Sequence, residues 1–273
     1  MIQLQARKSL GQHFLADAAI LKRITGAVEI TTGDNVVEIG AGTGLLTAEL
    51  LKSPLERLIS FEVDDRVVPE LRAHFASEGD RFKVEHQDIL AIDLRTIGTP
   101  ERLLRVVGNI PYYITSPILF KLIEERSAIK DAVLLVQLEV AERLTASPRT
   151  KAYGIPTVIA NFFGEVEFLF KVKAGAFKPP PKVDSAVIRI NFQRPYFART
   201  GETPPAGFPE HGFQKFIRGI FRMRRKTIRN NLKGLVPEER IAQLPVGLLG
   251  QRAEELGIGE LIDLFTQASS VWS

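Results

Sequence analysis

Cysteine is absent from this chain of 273 residues. Without a thiol there can be no disulfide, no thiolate metal site and no cysteine nucleophile. Histidine is scarce as well, and the 4 histidines, at positions 13, 74, 86 and 211, are too scattered in the sequence to suggest a metal-binding cluster. We therefore expect no bound metal ion.

Long apolar segments are also lacking. The longest buried-looking run, at positions 132–136, is far too short to span a bilayer, and the amino terminus lacks the apolar core of a signal peptide. The composition, with 45% hydrophobic residues, suits a chain that builds one large core and a smaller second domain. We expect a monomeric, cytoplasmic protein.

Three alternating glycines follow a short apolar run at positions 36–44, where the sequence is Val-Val-Glu-Ile-Gly-Ala-Gly-Thr-Gly. Gly40, Gly42 and Gly44 have no Cβ, so the backbone can adopt positive φ and approach a small molecule closely. The spacing differs from the dinucleotide fingerprint G-x-G-x-x-G, and the carboxylate of Glu38 would repel a pyrophosphate. A cationic ligand suits this loop better, and S-adenosylmethionine carries both a sulfonium and an ammonium group.

Acidic residues follow the next two apolar runs. Glu62 comes about 20 residues after the glycines, where a ribose-binding carboxylate belongs. Asp88 follows the third run and could accept a hydrogen bond from the exocyclic amine of adenine. Either acid alone could be a helix cap. Three successive predicted strands, however, end in the glycine turn, in Glu62 and in Asp88, and this combination predicts a nucleoside site.

Seven apolar runs predict the strands of one sheet. They lie near positions 35–39, 58–63, 82–86, 104–107, 132–138, 166–172 and 186–192. Helical or turn-like stretches separate the first five, which is typical of a Rossmann-like, doubly wound α/β fold with a mostly parallel sheet. Only positions 173–185 join the last two runs, too few for a crossover helix, so we expect these runs to pair antiparallel and to give one antiparallel edge strand.

The chain from position 194 to 212 has the proline and glycine content of a linker. Beyond it the apolar spacing is helical, without strand-like alternation. We therefore predict a catalytic domain over 1–198 and a small helical domain over 199–273.

The helical domain begins with a strongly basic stretch. Eight basic residues and no acidic residue lie between His211 and Lys233, whereas the whole chain has a net charge of +4, so the remainder is net acidic. If the whole stretch formed one helix, with about 100° per residue, all eight basic residues except Arg224 would lie within about one third of its circumference. A solvated cationic face is the alternative to a nucleic-acid surface. The predicted RNA-binding residues are Lys215, Arg218, Arg222, Arg225, Lys226, Arg229 and Lys233.

The fourth predicted strand ends in an unusual motif, Gly-Asn-Ile-Pro-Tyr-Tyr-Ile-Thr-Ser-Pro, at positions 108–117. Pro111 restricts Ile110 to extended conformations, so the Ile110 carbonyl and the Asn109 side-chain oxygen offer two acceptors. Two acceptors beside the Tyr112 ring would hold an amino group on a flat base, as in adenine. The alternative is a turn whose tyrosines are core aromatics.

These motifs occur in the order and spacing of the ribosomal RNA adenine-N6 dimethyltransferases, and the sequence resembles the members of that family that modify small-subunit RNA. Two further segments support the resemblance, Lys8-Ser9-Leu10-Gly11-Gln12-His13-Phe14-Leu15 and Ala176-Phe177-Lys178-Pro179-Pro180-Pro181-Lys182-Val183-Asp184-Ser185. The resemblance extends over nearly the whole chain.

The resemblance implies a site for S-adenosylmethionine and an adenine clamp formed by Tyr112 and Phe177. The family often has asparagine where His13 stands, and Phe177 could instead merely cover the sheet edge. The implied cofactor-binding residues are Gln12, His13, Leu15, Gly40, Gly42, Glu62, Val63, Asp88, Ile89 and Asn109. The implied catalytic residues are Asn109, Ile110, Pro111, Tyr112 and Phe177.

The implied substrate is a hairpin near the 3′ end of 16S ribosomal RNA in an immature 30S particle, where two adjacent adenines each receive two methyl groups. Three other functions stay open. They are methylation of large-subunit RNA as in macrolide resistance, ribosome assembly with methylation as a secondary activity, and a nucleotide-dependent oxidoreductase, which the glycine spacing and Glu38 disfavour.

Overall fold

The computed structural model describes residues 6–7 and 10–268. Lys8 and Ser9, at the start of the amino-terminal motif, lie outside the described residues. No helix in the described part of the chain is long and apolar enough to cross a membrane. Within these same ranges, no three His, Cys, Asp or Glu side chains are grouped so that they could hold a metal ion.

The strands of the described chain are β1 (Phe14–Leu15), β2 (Asn35–Ile39), β3 (Arg57–Glu62), β4 (Phe82–His86), β5 (Leu104–Asn109), β6 (Ile129–Gln137), β7 (Glu165–Val172), β8 (Phe177–Lys178) and β9 (Ser185–Asn191). All of them except β1 and β8 form one sheet of seven strands, in the order β4-β3-β2-β5-β6-β9-β7. The neighbours from β4 to β6 pair in parallel, whereas β9 runs antiparallel to β6. The predicted Rossmann-like, mostly parallel sheet is confirmed, with the antiparallel strand inserted between β6 and the outermost strand β7.

Helices alternate with the parallel strands. The first of them are α1 (Ala18–Val28), α2 (Leu45–Leu50), α3 (Val67–His74), α4 (Thr115–Glu124) and α5 (Leu138–Leu144). Helix α1 begins where the Asp17 side chain accepts hydrogen bonds from the backbone N–H groups of Ala19 and Ile20. Its apolar face is buried, and so are nearly all side chains of β2, because parallel strands are covered on both faces.

A second, two-stranded sheet joins β1 to β8. The strands are antiparallel, with Leu15 opposite Phe177 and Phe14 opposite Lys178. Two-residue strands produce no periodicity in the sequence, so this sheet was not predicted. It ties the amino-terminal motif to the proline-rich motif that precedes β9.

The chain divides into two compact units, of which the first runs up to Ala141 and also takes in Val166–Gln193. The second unit comprises Glu142–Glu165 and the chain from Arg194 onward. Its helices are α6 (Ile155–Phe163), α7 (Tyr196–Thr200), α8 (Glu210–Ile220), α9 (Ile228–Leu232), α10 (Glu238–Ile241), α11 (Val246–Leu249) and α12 (Ile258–Ala268).

The second unit differs from the predicted 199–273 domain because it includes the segment 142–165. The Phe162 ring of α6 explains this, since it packs 4.6 Å from the ring of Phe213 and 5.7 Å from that of Phe208, measured between centroids. Helical periodicity shows that a helix has an apolar face but does not show which core will bury that face.

The basic stretch is not one helix, so the prediction of a continuous helical stripe over 211–233 is wrong. Helix α8 ends at Ile220, turns follow, and α9 begins only at Ile228. The Thr227 side chain caps α9 by accepting a hydrogen bond from the Asn230 backbone. A hydroxyl at this position starts a new helix rather than continuing the old one.

Candidate active site

A cavity in the first unit lies at the carboxyl ends of β2, β3, β4 and β5, where open α/β sheets bind ligands. The residues that line it are Leu10, Gly11, Gln12, His13, Phe14, Ile39, Gly40, Gly42, Phe61, Glu62, Val63, Gln87, Asp88, Ile89, Asn109, Ile110, Pro111, Tyr112, Tyr113 and Ile114. As far as the described residues show, this lining holds two carboxylates and neither lysine nor arginine. The field of such a cavity favours a cation over a phosphate.

The glycine turn adopts the predicted positive φ angles, with φ of 74° at Gly40, 51° at Gly42 and 76° at Gly44. Gly42 also leaves room for Phe14, because a Cβ there would crowd the Phe14 ring at 3.1 Å. The amino-terminal segment can therefore pack directly on the turn, and both elements reach the cavity.

Glu62, at the end of β3, is only 4% exposed, and three backbone N–H groups hold its carboxylate. One oxygen accepts from Gly42 at 2.9 Å, and the other accepts from Val63 and Asp64, each at 2.9 Å. These bonds fix the carboxylate against the glycine turn. Glu62 thus takes the place at the cavity that the sequence predicted for a ribose-binding acid.

Glu38 does not line the cavity, contrary to the expectation that its charge acts on the ligand. Its side chain is fully buried, and one oxygen accepts hydrogen bonds from Ser60 Oγ at 2.6 Å and Thr47 Oγ1 at 2.7 Å. The other oxygen has no hydrogen-bond partner among the described residues. Burial raises the pKa of Glu38 to about 7. Its position inside β2 explains the correction, because side chains alternate between the two faces of a strand.

The amino-terminal segment is attached to the loop after β3 through Gln12. The Gln12 side chain donates to Asp64 Oδ2 at 2.9 Å and accepts from the Arg7 backbone N–H at 2.9 Å. Asp64 is fully buried and forms an ion pair with Arg66, whose hydrogen bond lowers the pKa of the Asp64 carboxyl. The Gln12 amide thus holds the segment at the cavity.

Asn109, at the end of β5, has a fixed side-chain orientation. Its Nδ2 donates to the backbone carbonyl of His13 at 2.9 Å, so Oδ1 is left as an acceptor at the cavity. Next to it, the backbone N–H of Ile110 donates to the Leu135 carbonyl at 3.1 Å, and the Ile110 side chain is buried. Both predicted acceptor residues therefore line the cavity side by side.

Tyr112 lies in a 3₁₀ turn after Pro111, and both its hydroxyl and its ring contact other residues. Its hydroxyl hydrogen-bonds to Ser185 Oγ at 2.7 Å, and burial raises the pKa of the phenol. Its ring stacks with the His13 imidazole at a centroid distance of 5.9 Å. Because a carbonyl only accepts, His13 Nδ1 is the donor in its 2.8 Å hydrogen bond to Pro179 O.

Asp88 combines two roles that the sequence left as alternatives. Its Oδ1 accepts from the Leu90 backbone N–H at 2.9 Å, which caps a short 3₁₀ turn at Ile89–Ala91. The residue also lines the cavity. A capping bond uses one lone pair, so the carboxylate retains acceptor capacity toward a ligand.

Most of the predicted site residues meet at this one cavity, but Leu15 and Phe177 do not. Leu15 is 5% exposed and Phe177 2% exposed, and both lie in the apolar core cluster. Their pairing across β1 and β8 explains this position. Without a bound base Phe177 is thus packed in the core, and the adenine clamp that the resemblance implies for it stays a prediction.

Three contact residues were missed by reasoning from the sequence. Ser185 binds the Tyr112 hydroxyl, Asp64 binds Gln12, and Pro179 offers its carbonyl to His13. Ser185 and Pro179 lie in the proline-rich motif, which the sequence analysis identifies without predicting the residues that these two contact. Tyr112 and Ser185 are more than 70 positions apart in the chain, so local spacing cannot show that they form a pair.

The predicted RNA-binding residues are all exposed in the second unit. Some of the basic stretch is neutralised by acids from elsewhere in that unit, since Arg224 pairs with Glu254 at 2.7 Å and Arg229 with Glu238 at 3.1 Å. For Arg222, Arg225 and Lys226, the described part of the chain provides no ion-pair partner. These three cations lie at or beside the turns between α8 and α9.

Comparison with known proteins identifies close relatives over nearly the full length. The family model described as ribosomal RNA adenine dimethylase matches residues 3–267. Ribosomal RNA small subunit methyltransferase A of Chlorobium phaeobacteroides is 41% identical over 268 residues, which is 97% of this chain and 92% of the relative. The protein of the same name from Ligilactobacillus salivarius is 39% identical, over 96% of this chain and 89% of its own length.

Solved structures agree with these sequence matches. A dimethyladenosine transferase from Plasmodium falciparum superposes with a TM-score of 0.78 at 27% identity and covers 94% of this chain and 98% of its own. The 23S rRNA methyltransferase ErmE gives a TM-score of 0.70 at 28% identity and covers 94% of this chain and 99% of its own. The fold is thus shared with these two transferases.

Proposed function

Because the chain belongs to the ribosomal RNA adenine dimethylase family, we propose that it dimethylates N6 of two adjacent adenines in the 3′-terminal hairpin of 16S ribosomal RNA, with a role in small-subunit biogenesis. It is an S-adenosylmethionine-dependent RNA methyltransferase. The observation that carries this proposal is that a cation-favouring cavity is lined by two neutral residues with acceptors, Asn109 and Ile110, and that the Asn109 amide is held by His13.

The residues of the cavity fit S-adenosylmethionine. Glu62 offers a fixed carboxylate for ribose hydroxyls, Asp88 and the backbone around Ile89 suit the adenine end, and the glycine turn leaves room for close backbone approach. Among the described lining residues no lysine or arginine opposes a sulfonium or an ammonium group. When bound, the cofactor supplies a methyl group on a positively charged sulfur.

The acceptor side of the site is built to orient an amine. Asn109 Oδ1 and the Ile110 carbonyl would accept the two N–H bonds of adenine N6, and Tyr112 would stack on the base. Acceptors that draw on the N–H bonds favour the pyramidal, nucleophilic nitrogen, whose lone pair is otherwise delocalised into the ring. The bond from Asn109 to His13 keeps this acceptor in place before the base enters.

The chemistry requires positioning and does not need a strong base. The bond that the N6 lone pair would form to the methyl carbon replaces the bond of that carbon to sulfur, and the electron pair of the broken bond would stay on the departing, neutral thioether. Positive charge would develop on N6, where the neutral oxygens of Asn109 and Ile110 would stabilise it. The N6 proton then leaves to water, and the same sequence repeats for the second methyl group. A neutral asparagine, unlike an aspartate, does not bind a proton tightly after transfer, so the amine pocket is regenerated.

The second unit supplies the RNA-binding surface in this proposal. Its exposed cations without partners in the described chain, Arg222, Arg225 and Lys226, suit phosphates of the hairpin. The target base must leave its stack to reach the cavity, as in other enzymes that modify bases. We place the substrate in an immature 30S particle, and the enzyme as a monomer in the cytoplasm.

Mass spectrometry of 16S ribosomal RNA tests the proposal directly. Small-subunit particles that lack the modification are incubated with the protein and methyl-labelled S-adenosylmethionine, and the hairpin nucleosides are quantified. We expect two adjacent N6-dimethyladenosines, and fewer of them in the same time with Tyr112→Ala. Methylation of 23S RNA instead would assign the chain to large-subunit modification, and unmodified RNA of both kinds would refute the proposed function.

A further inference from the structure

Tyr113 is an exposed aromatic residue at a cavity whose other aromatic residues are more buried. It lines the cavity and is nevertheless 60% exposed. Two exposed aromatic side chains are found among the described residues of this unit, Tyr113 and Phe168, and of these Tyr113 lines the cavity. Its hydroxyl has no hydrogen-bond partner among the residues described.

The Tyr113 ring has a support despite its exposure. Gly11 adopts a φ of 58°, and a Cβ added there would lie 3.2 and 3.3 Å from two atoms of the Tyr113 ring. The ring therefore lies against the backbone of Gly11, where the positive φ favours glycine and a side chain would crowd the ring. A supported aromatic surface loses little freedom when a flat partner stacks on it.

We propose that Tyr113 is a stacking platform for the nucleobase that neighbours the target adenine in the RNA. This inference rests on the proposed function. Tyr112 and Tyr113 line the same cavity, so a strand whose target base enters beside Tyr112 would have its adjacent nucleotide within reach of Tyr113. Extrusion of the target deprives that neighbour of a stacking partner, which Tyr113 replaces.

The chemistry of the cavity favours stacking over charge as the means of recognition. The described lining contains no lysine or arginine, so affinity at this place cannot come from phosphate contacts with the lining. Stacking of one base on an aromatic ring typically changes affinity by about 5- to 150-fold. Because the two target adenines are adjacent, each has a purine neighbour with a large surface for stacking.

A chemical double-mutant cycle tests the proposal. The substrate is a small-subunit particle whose 3′ hairpin is a ligated synthetic segment, either with both adenines or with one of them replaced by an abasic nucleotide. Single-turnover methylation of the remaining adenine gives the apparent RNA affinity and the rate. We expect Tyr113→Ala to weaken RNA affinity about 5- to 50-fold on the intact hairpin and Tyr113→Phe to stay within about twofold.

The abasic hairpin separates stacking from a structural role. We expect the protein without substitutions to bind the abasic hairpin about 5- to 50-fold more weakly than the intact one. Tyr113→Ala should bind the abasic hairpin no more weakly than the protein without substitutions does. Phe168→Ala is the matched control, because Phe168 is a 40% exposed aromatic residue on β7 that does not line the cavity. It should leave both affinities unchanged.

Two outcomes would overturn the proposal. One is an equal loss for Tyr113→Ala on intact and abasic hairpins, which would mean that the ring does not touch the neighbouring base. The other is a fall in S-adenosylmethionine affinity, measured by calorimetry, as large as the fall in RNA affinity, which would make Tyr113 part of the cofactor site. Failure of the proposed function is distinct, because the unmodified protein would then methylate neither hairpin.

Discussion

The side-chain amide of Asn109 donates to the backbone carbonyl of His13 across 2.9 Å, so a residue at the end of β5 is oriented by the amino-terminal segment. The contact decides which end of the amide faces the substrate. A carboxamide has one donor end and one acceptor end, and the use of the donor end on His13 leaves the acceptor for an amine.

Asn109→Asp tests this orientation. A carboxylate has no N–H group to donate to the His13 carbonyl. It is also charged, so it would bind the proton that N6 releases, whereas the asparagine amide would not. We expect the single-turnover rate of methylation to fall about 2- to 13-fold, as for loss of a neutral hydrogen bond worth about 0.5–1.5 kcal/mol. S-adenosylmethionine affinity, measured by calorimetry, should change less than the rate. An unimpaired rate would show that the orientation of Asn109 is immaterial.

Tyr112 is predicted to act on the substrate base more than on the cofactor. Tyr112→Ala should lower the methylation rate more than it lowers cofactor affinity, because the ring would stack on adenine. An equal loss of both would make the ring structural.

The Tyr112 hydroxyl has a separate, smaller role. Tyr112→Phe and Ser185→Ala each remove the same 2.7 Å hydrogen bond, so each should destabilise the protein by about 0.5–1.5 kcal/mol in urea unfolding. The double variant should be little worse than either single variant. Fully additive losses would show that the two hydroxyls do not depend on each other.

Glu38 should make stability depend on pH. Its pKa in the folded protein, about 7, lies above the ordinary value of 4.5, because the buried carboxyl resists ionisation. The folded state therefore binds the proton more tightly. This contribution to stability is complete below about pH 4.5 and is lost as the pH rises through 7. The loss amounts to about 3 kcal/mol.

Glu38→Gln provides the comparison for that prediction, since glutamine mimics the protonated carboxyl. Urea unfolding between pH 5 and 8 should show the unmodified protein losing stability relative to the variant. Parallel pH profiles for the two proteins would contradict a raised pKa at Glu38.

The basic surface of the second unit should determine the salt dependence of RNA binding. Replacing Arg222, Arg225 and Lys226 by glutamine should weaken binding and flatten the plot of log affinity against log salt concentration by about 2, since each phosphate contact contributes about 0.7 on a single strand. Arg224→Gln is the control, because Arg224 is already paired with Glu254 at 2.7 Å. A triple variant with an unchanged slope would exclude this surface.

Much of the site could be predicted because it lies at strand ends. Gly40, Glu62, Asp88 and Asn109 each follow an apolar run, and the carboxyl ends of parallel strands meet at one edge of the sheet. Contacts between distant segments could not be predicted in this way. The bond of Tyr112 to Ser185 and that of Gln12 to Asp64 join positions whose spacing carries no local pattern.

Hydrophobic periodicity, positive φ and the chemistry of an amide are local properties, so the seven strands of the main sheet, the glycine turn and the two neutral acceptor residues could be predicted from the sequence. The fold was needed to show that Glu38 lies beside Ser60 and Thr47 rather than at the ligand, that Phe177 is buried opposite Leu15, and that α6 belongs to the second unit. Burial is a property of the surroundings, and residues far apart in the chain supply those surroundings.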